Sequence, residues 1–169
     1  MEPLSEYQIR ASFVNCSKGE AQRAGLPDLA EVAWEHLDFL GWPDPSGSSR
    51  AYLVVPHEGG LVGLLLRQSA PGNPSVRRAK MCQLCITPHA GDGVCLAVAP
   101  KTGASGRKGD STGIHICRDL ACSLYARGRK VPSAAAVRET LPPEARVARL
   151  QQNLADFVAR VMGRPRAAG

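Results

Sequence analysis

The chain has 169 residues, with 21 lysines and arginines against 15 aspartates and glutamates, and 17 glycines and 13 prolines. This length supports one folded domain, or one domain with a small appendage. No apolar run could span a bilayer, since the longest, residues 61–66, has the length of a strand. The first residues lack the basic and apolar stretches of a secretory signal, so we expect a cytoplasmic protein with no membrane partner.

The charge is distributed unevenly along the chain. Residues 1–100 hold 8 lysines and arginines against 10 acidic residues, whereas residues 101–169 hold 13 against 5. A basic half of this size is compatible with nucleic acid, with an acidic protein surface, or with a solvated surface that binds nothing. The charge alone does not choose between these partners.

The N-terminal residues carry helix signals. Ser5 and Gln8 form a capping-box pattern that predicts a helix over residues 5–15. A second helical piece is predicted over 19–25, where Gly25 and Pro27 end it. Residues 27–35 are predicted to form a helical turn that presents apolar side chains to a core.

After residue 36 the spacing of the apolar residues changes from a helical period to that of strands. Short apolar runs predict strands over 37–42, 51–56 and 61–68, the last two joined by a hairpin turn at 57–60. Residues 69–78 have the composition of a linker. Two further strands are predicted over 94–99 and 113–117. Residues 101–110 between them lack the Gly-Lys-Ser/Thr of a phosphate-binding loop, so we predict a long mobile hairpin tip.

The clearest helix is predicted over residues 143–162. Apolar residues recur there at helical spacing and most of the arginines lie off that stripe, which indicates a helix packed against a core. The stripe consists of Val147, Leu150, Leu154, Phe157, Val158 and Val161. Gly163 and Pro165 are expected to end the helix.

Two cysteine pairs carry the main chemical signal. Cys82 and Cys85 are separated by two residues, and Cys117 and Cys122 by four. Such pairs can complete a tetrahedron of thiolates around Zn²⁺. A redox dithiol and disulfides are the alternatives, although the loop-like residues after Cys85 do not resemble the helix that usually follows a redox pair. We predict one structural Zn²⁺ held by these four cysteines.

The remaining candidates for chemistry are few. Cys16 and Cys95 stand alone and are interpreted as small buried side chains, and His89 is a spare candidate ligand. The four histidines are scattered, and no Ser/His/Asp or paired-carboxylate arrangement is present. A zinc ion with four sulfur ligands has no open position for water. We therefore predict that the protein is not an enzyme and has no small-molecule substrate.

The order of the elements around the cysteines predicts the fold. A Cys-x-x-Cys knuckle is followed by a hairpin and then by a turn and short helix over 117–127 that carries Cys122, which is the order of a treble-clef zinc finger. The predicted fold class is α+β, with small antiparallel sheets, a treble-clef zinc finger and a long C-terminal helix.

Several motifs read in order resemble one known family. They are Leu-Gly-Trp at 40–42, Arg-Ala-Tyr-Leu-Val at 50–54, Leu-Val-Gly at 61–63, the first cysteine pair, Ile-Cys-Arg-Asp at 116–119 and the final helix with its phenylalanine. The set resembles the C-terminal zinc-finger domain of the elongation factor G-binding family, whose best-known members confer fusidic acid resistance. The likeness runs from about residue 37 to 162. It divides the chain into an N-terminal helical leader, 1–36, and a treble-clef zinc-finger domain, 37–169.

The resemblance implies a non-enzymatic, translation-associated protein that binds elongation factor G and promotes its release from the ribosome, with fusidic acid tolerance as a consequence. The implied zinc ligands are Cys82, Cys85, Cys117 and Cys122. His115 and Phe157 would belong to the partner-binding surface, and Arg107 and Lys108 would steer the encounter.

A zinc-stabilised protein acting on ribosomal RNA is the alternative function. The basic residues that would then track phosphates are Arg107, Lys108, Arg127, Arg129 and Lys130. Tyr125 is the main aromatic residue among them, so base stacking is poorly provided for.

Overall fold

The computed structural model describes residues 1–72, 79–132 and 139–163. Its helices are α1 (Glu6–Ser12), α2 (Lys18–Arg23), α3 (Gly103–Arg107), α4 (Cys122–Ala126) and α5 (Pro143–Val161), and a short 3-10 turn spans Trp34–His36. Its strands are β1 (Leu40–Pro43), β2 (Arg50–His57), β3 (Gly60–Gln68), β4 (Lys80–Met81), β5 (Pro88–His89), β6 (Val94–Pro100) and β7 (Ser111–Cys117). None of the helices in the described ranges is both long and apolar enough to cross a membrane.

Five of the strands form one antiparallel sheet in the order β1-β2-β3-β6-β7, and β4 pairs with β5 in a small second sheet. The predicted hairpin joins β2 to β3 through Glu58 and Gly59, which have φ of 39° and 81°. Gly59 adopts this left-handed conformation without steric cost, because glycine has no Cβ. The predicted α+β class, with small antiparallel sheets and a long C-terminal helix, is confirmed.

The large sheet is covered on both faces, because alternate residues of its strands point to opposite sides. On one face Leu53, Leu64 and Ile114 pack in a core shared with α5 and the four predicted ligand cysteines. On the other face Tyr52 and Trp42 belong to a second core, which the N-terminal residues complete. The zinc-bearing region therefore lies on the face opposite the N-terminal segment.

Residues 1–36 pack directly on the sheet. The capping boxes of α1 and α2 are both formed, with Ser5 and Ser17 as N-caps. The Asn15 side chain exchanges hydrogen bonds with the backbone of Leu65, at 2.8 and 2.9 Å. A Cβ at Gly63 would lie 2.4 Å from Ser12 Oγ, so this close approach requires glycine. The division into a leader and a zinc-finger domain remains a proposal.

A partly buried ion pair joins the chain before β1 to the two C-terminal helices. The Asp38 side chain is only 3% exposed, and both of its oxygens accept hydrogen bonds from the Arg127 guanidinium. Gln151 Nε2 of α5 donates to Asp38 Oδ1 at 2.9 Å, and the Asp38 backbone N–H donates to Ser123 Oγ at 3.0 Å. The hydrogen bonds with the Asp38 carboxylate raise the pKa of the Arg127 guanidinium. Because Asp38 is bound here, β1 begins at Leu40 rather than at the predicted residue 37.

Two other segments differ from their predictions. Within residues 27–35, helical structure is limited to the 3-10 turn that begins at Trp34, although Leu29, Val32 and Trp34 pack in the second core as expected. Residues 101–110 form a closed loop with the short helix α3, because Lys101 N–H donates to Asp110 O at 2.9 Å and Ser105 Oγ donates to the Asp110 carboxylate. The helix α5 ends at Val161, shortly before Gly163, which has φ of 70°. The predicted linker at 69–78 lies partly outside the described residues, and Pro165 lies wholly outside them.

Candidate metal centre

The four predicted ligands come from three elements. The knuckle between β4 and β5 supplies Cys82 and Cys85, Cys117 is the last residue of β7, and Cys122 is the first residue of α4. All four are at most 2% exposed. Their sulfur atoms lie within 4.8 Å of one another. The sequence-based prediction of one four-cysteine cluster is therefore confirmed.

The sulfur separations fit a metal ion. Cys82 Sγ lies 3.7 Å from Cys122 Sγ, and Cys85 Sγ lies 3.6 Å from Cys117 Sγ. Four sulfurs at about 2.3 Å from a central Zn²⁺ would be separated by about 3.8 Å, whereas a disulfide needs about 2.05 Å. The four cysteines are free, so this geometry excludes the disulfide alternative here. The cluster fits one structural Zn²⁺.

The backbone is strained beside both ligand pairs. Ile86 directly follows Cys85 with φ of 59°, and Leu120 lies between the second pair with φ of 58°. A left-handed conformation costs roughly 1–2 kcal/mol for a residue with a Cβ, and Ile86 is β-branched. Such strain persists where the surrounding structure stabilises it. A metal ion bound by the four cysteines would supply that stabilisation.

Gln83, inside the knuckle, attaches it to the edge of the large sheet. The Gln83 backbone N–H donates to His115 O at 2.8 Å, and Gln83 Oε1 accepts from the His115 backbone N–H at 2.7 Å. The knuckle thus caps part of the free edge of β7. Nothing in the sequence distinguishes Gln83 from any other residue between two ligands, so this role could not be predicted.

The protonation of the cluster follows from its burial. Hydrogen bonds from Cys117 and Cys122 lower the pKa of Cys82, whereas burial raises the pKa of Cys122 well above its ordinary value. Zinc binding must therefore displace protons from the buried thiols. Zn²⁺ with four thiolates carries a charge of −2 and keeps no position for water or substrate. The centre is structural.

A histidine contacts the cluster from outside. His89 is 2% exposed, and its Nε2 lies 3.3 Å from Cys117 Sγ. Its ring packs edge-to-face on Tyr125, with centroids 4.7 Å apart. Burial lowers the pKa of His89 below its ordinary value. His89 thus contacts the cluster through the sulfur of Cys117.

The residues predicted to meet a partner lie in different places. His115 is exposed on β7, and Arg107 and Lys108 are exposed at the end of α3. Phe157 does not lie on the surface: it is 0% exposed and packs in the core beneath α5. We correct that expectation, since an apolar residue on the inner stripe of α5 is needed for packing.

His115 belongs to an exposed patch on β6 and β7. Leu96 lies directly opposite His115, and Val98 lies opposite Gly113, all on the outward face of the two strands. Leu96 is 40% exposed. This patch, called the outer strip below, continues the face that residues 1–36 cover over β2 and β3. Leu96 and His115 are exposed, and Val98 is partly exposed.

The comparison with known proteins agrees with this geometry. The family model of the FBP C-terminal treble-clef zinc-finger matches residues 8–161. No curated protein and no solved structure matches the chain significantly. The FBP family is a family of binding proteins. With the match covering most of its length and a buried four-cysteine cluster at the expected place, the chain belongs to the FBP C-terminal treble-clef zinc-finger family.

Proposed function

We propose that this chain is a non-enzymatic, translation-associated protein of the cytoplasm that binds elongation factor G and promotes its release from the ribosome. Membership of the FBP family supports this partner. A metal centre closed by four thiolates supports a binding role over catalysis, because it leaves no coordination site to activate water. Tolerance of fusidic acid would follow where the factor is trapped on the ribosome by the drug.

The outer strip is the observation that carries the proposal. It offers apolar contact area at Leu96 and Val98 and a polar ring at His115, on a rigid two-stranded support. Exposed arginines flank it, since Arg67 pairs with Val98 on the same face and Arg107 lies in the loop that joins the two strands. An apolar centre with a basic rim suits an acidic protein surface that has its own apolar anchor.

The alternative, binding to ribosomal RNA, has weaker support. Arg127 is paired with Asp38, and Lys130 Nζ lies 2.8 Å from Asp119 Oδ2. Two of the five basic residues, Arg127 and Lys130, are thus already paired with carboxylates of the chain. Tyr125 is 8% exposed and offers little ring surface for stacking.

The substitution Leu96→Asp is expected to weaken binding to purified elongation factor G at least tenfold, because it places a charge in the apolar centre of the contact. Leu141→Asp is the matched control, since Leu141 is also a leucine that is 40% exposed, outside the strip. His115→Ala should weaken binding with no change in melting temperature. Titration calorimetry measures the affinity of all three variants, and thermal unfolding measures their melting temperatures. Unchanged affinity of the Leu96 variant would exclude the strip as the contact surface.

Charge reversal at Arg107 and Lys108 is expected to slow association with elongation factor G and to reduce its dependence on salt, with a smaller effect on dissociation. Both side chains are exposed, so folding should be unaffected. Stopped-flow measurements at two salt concentrations provide the test. Absence of any complex with the factor at low salt, together with tight salt-sensitive binding to ribosomal RNA, would favour the RNA-binding alternative.

A further inference from the structure

We propose that His89 is a positioning residue of the zinc centre, which donates a hydrogen bond from Nε2–H to the Cys117 thiolate and thereby slows metal loss. The 3.3 Å separation of His89 Nε2 and Cys117 Sγ carries this inference. A zinc-bound thiolate has no proton, so it can only accept. The nitrogen must therefore be the donor.

The ring of His89 is held in this orientation by its neighbours. Tyr125 packs against it at an interplanar angle of 84°. The Tyr125 hydroxyl donates to Asp119 Oδ2 at 2.8 Å, which fixes the tyrosine in turn. A Cβ at Gly93 would lie 2.6 Å from His89 Cβ and 2.9 Å from Nδ1, so the turn before β6 also requires glycine to leave room for the ring.

The hydrogen bond has an electrostatic consequence for the metal centre. Four thiolates around one Zn²⁺ leave a buried charge of −2, and an N–H donor to sulfur stabilises part of it. A donor to Cys117 also lowers the electron density on that sulfur, which weakens its attack on electrophiles. Loss of a hydrogen-bonding partner behind a metal ligand typically costs about 10- to 100-fold in metal affinity. His89 thus protects the ligand that ends β7, two residues after His115.

The test compares three variants of the zinc-loaded protein. His89→Phe keeps an aromatic ring against Tyr125 and removes the donor, while His89→Gln restores an N–H at the position of Nε2. Tyr125→Phe removes only the hydroxyl. Zinc transfer to a chromophoric chelator is expected to be about tenfold faster in His89→Phe, close to wild type in His89→Gln, and only slightly faster in Tyr125→Phe, which keeps the ring against His89 but loses the hydroxyl that fixes it. Equal acceleration in all three would indicate lost packing and overturn the proposal.

Cobalt substitution gives a second readout that packing alone would not move. The sulfur-to-Co²⁺ charge-transfer band should shift to longer wavelength in His89→Phe, because the unprotected thiolate is easier to oxidise, and should stay in place in His89→Gln. An unchanged band together with unchanged zinc transfer would overturn the proposal. X-ray absorption of the zinc protein showing three sulfurs and one nitrogen would also overturn it, by placing His89 on the metal itself.

Discussion

Replacing Cys122 by serine is expected to abolish stoichiometric zinc binding and to unfold the region from residue 80 to 125. A serine hydroxyl is a poor ligand in a site built for thiolates. Cys122 is also fully buried, so the substitution lies inside the core. Zinc binding to small thiolate sites contributes about 10–16 kcal/mol, and the strained Ile86 and Leu120 lose their support without it. Elemental analysis should fall from one zinc per chain to almost none, with loss of amide protection in this region.

Two cysteine substitutions serve as controls for this experiment. Cys95 is 2% exposed in β6 and is not part of the cluster, so Cys95→Ala reports the cost of losing a buried thiol alone. Cys16→Ser tests a half-buried thiol near the N-terminus. Both variants should retain zinc. A Cys122→Ser protein that keeps one zinc and a wild-type melting curve would exclude the four-cysteine centre.

The second large effect is expected at the ion pair between Asp38 and Arg127. Arg127→Met should lower the free energy of unfolding by about 3 kcal/mol or more, because it leaves the Asp38 carboxylate buried without its cation. Adding Asp38→Leu should recover most of this loss, since a well-packed apolar pair can replace buried charges. Urea unfolding of the two single variants and the double variant measures the coupling.

Lys130→Met provides the matched control. Its partner, Asp119, and the lysine itself are 37% and 45% exposed, so solvent screens the pair. That substitution should cost less than about 1 kcal/mol. An Arg127→Met cost as small as that of Lys130→Met would show that the Asp38 pair contributes no more than a surface ion pair.

Local chemistry explains which elements could be predicted from the sequence. The cap at Ser5, the hairpin between β2 and β3 and the stripe of α5 are set by neighbouring residues, and each appears within a few residues of its prediction. The ligands were predictable for a similar reason, because two closely spaced cysteines already supply half of a zinc site.

The missed features depend on partners far away in the sequence. Asp38 lies in a short apolar run that predicted a strand, and only the distant Arg127 explains its burial. His89 was predicted only as a spare ligand, and no spacing rule connects it to Cys117, which is 28 residues away. Phe157 was misplaced because an apolar helical stripe does not reveal whether one of its residues faces a core or a partner.

The position of Asp38 also has a consequence for folding during synthesis. Its partners Arg127 and Gln151 follow it by 89 and 113 residues. A ribosome adds about 5–20 residues per second, so the last of them emerges roughly 6–23 s after Asp38. Until then the carboxylate stays hydrated and the face of the sheet that α5 will cover stays open. The hairpin of β2 and β3 can form early from local contacts, and closure of the core by α5 is the late, long-range step of folding.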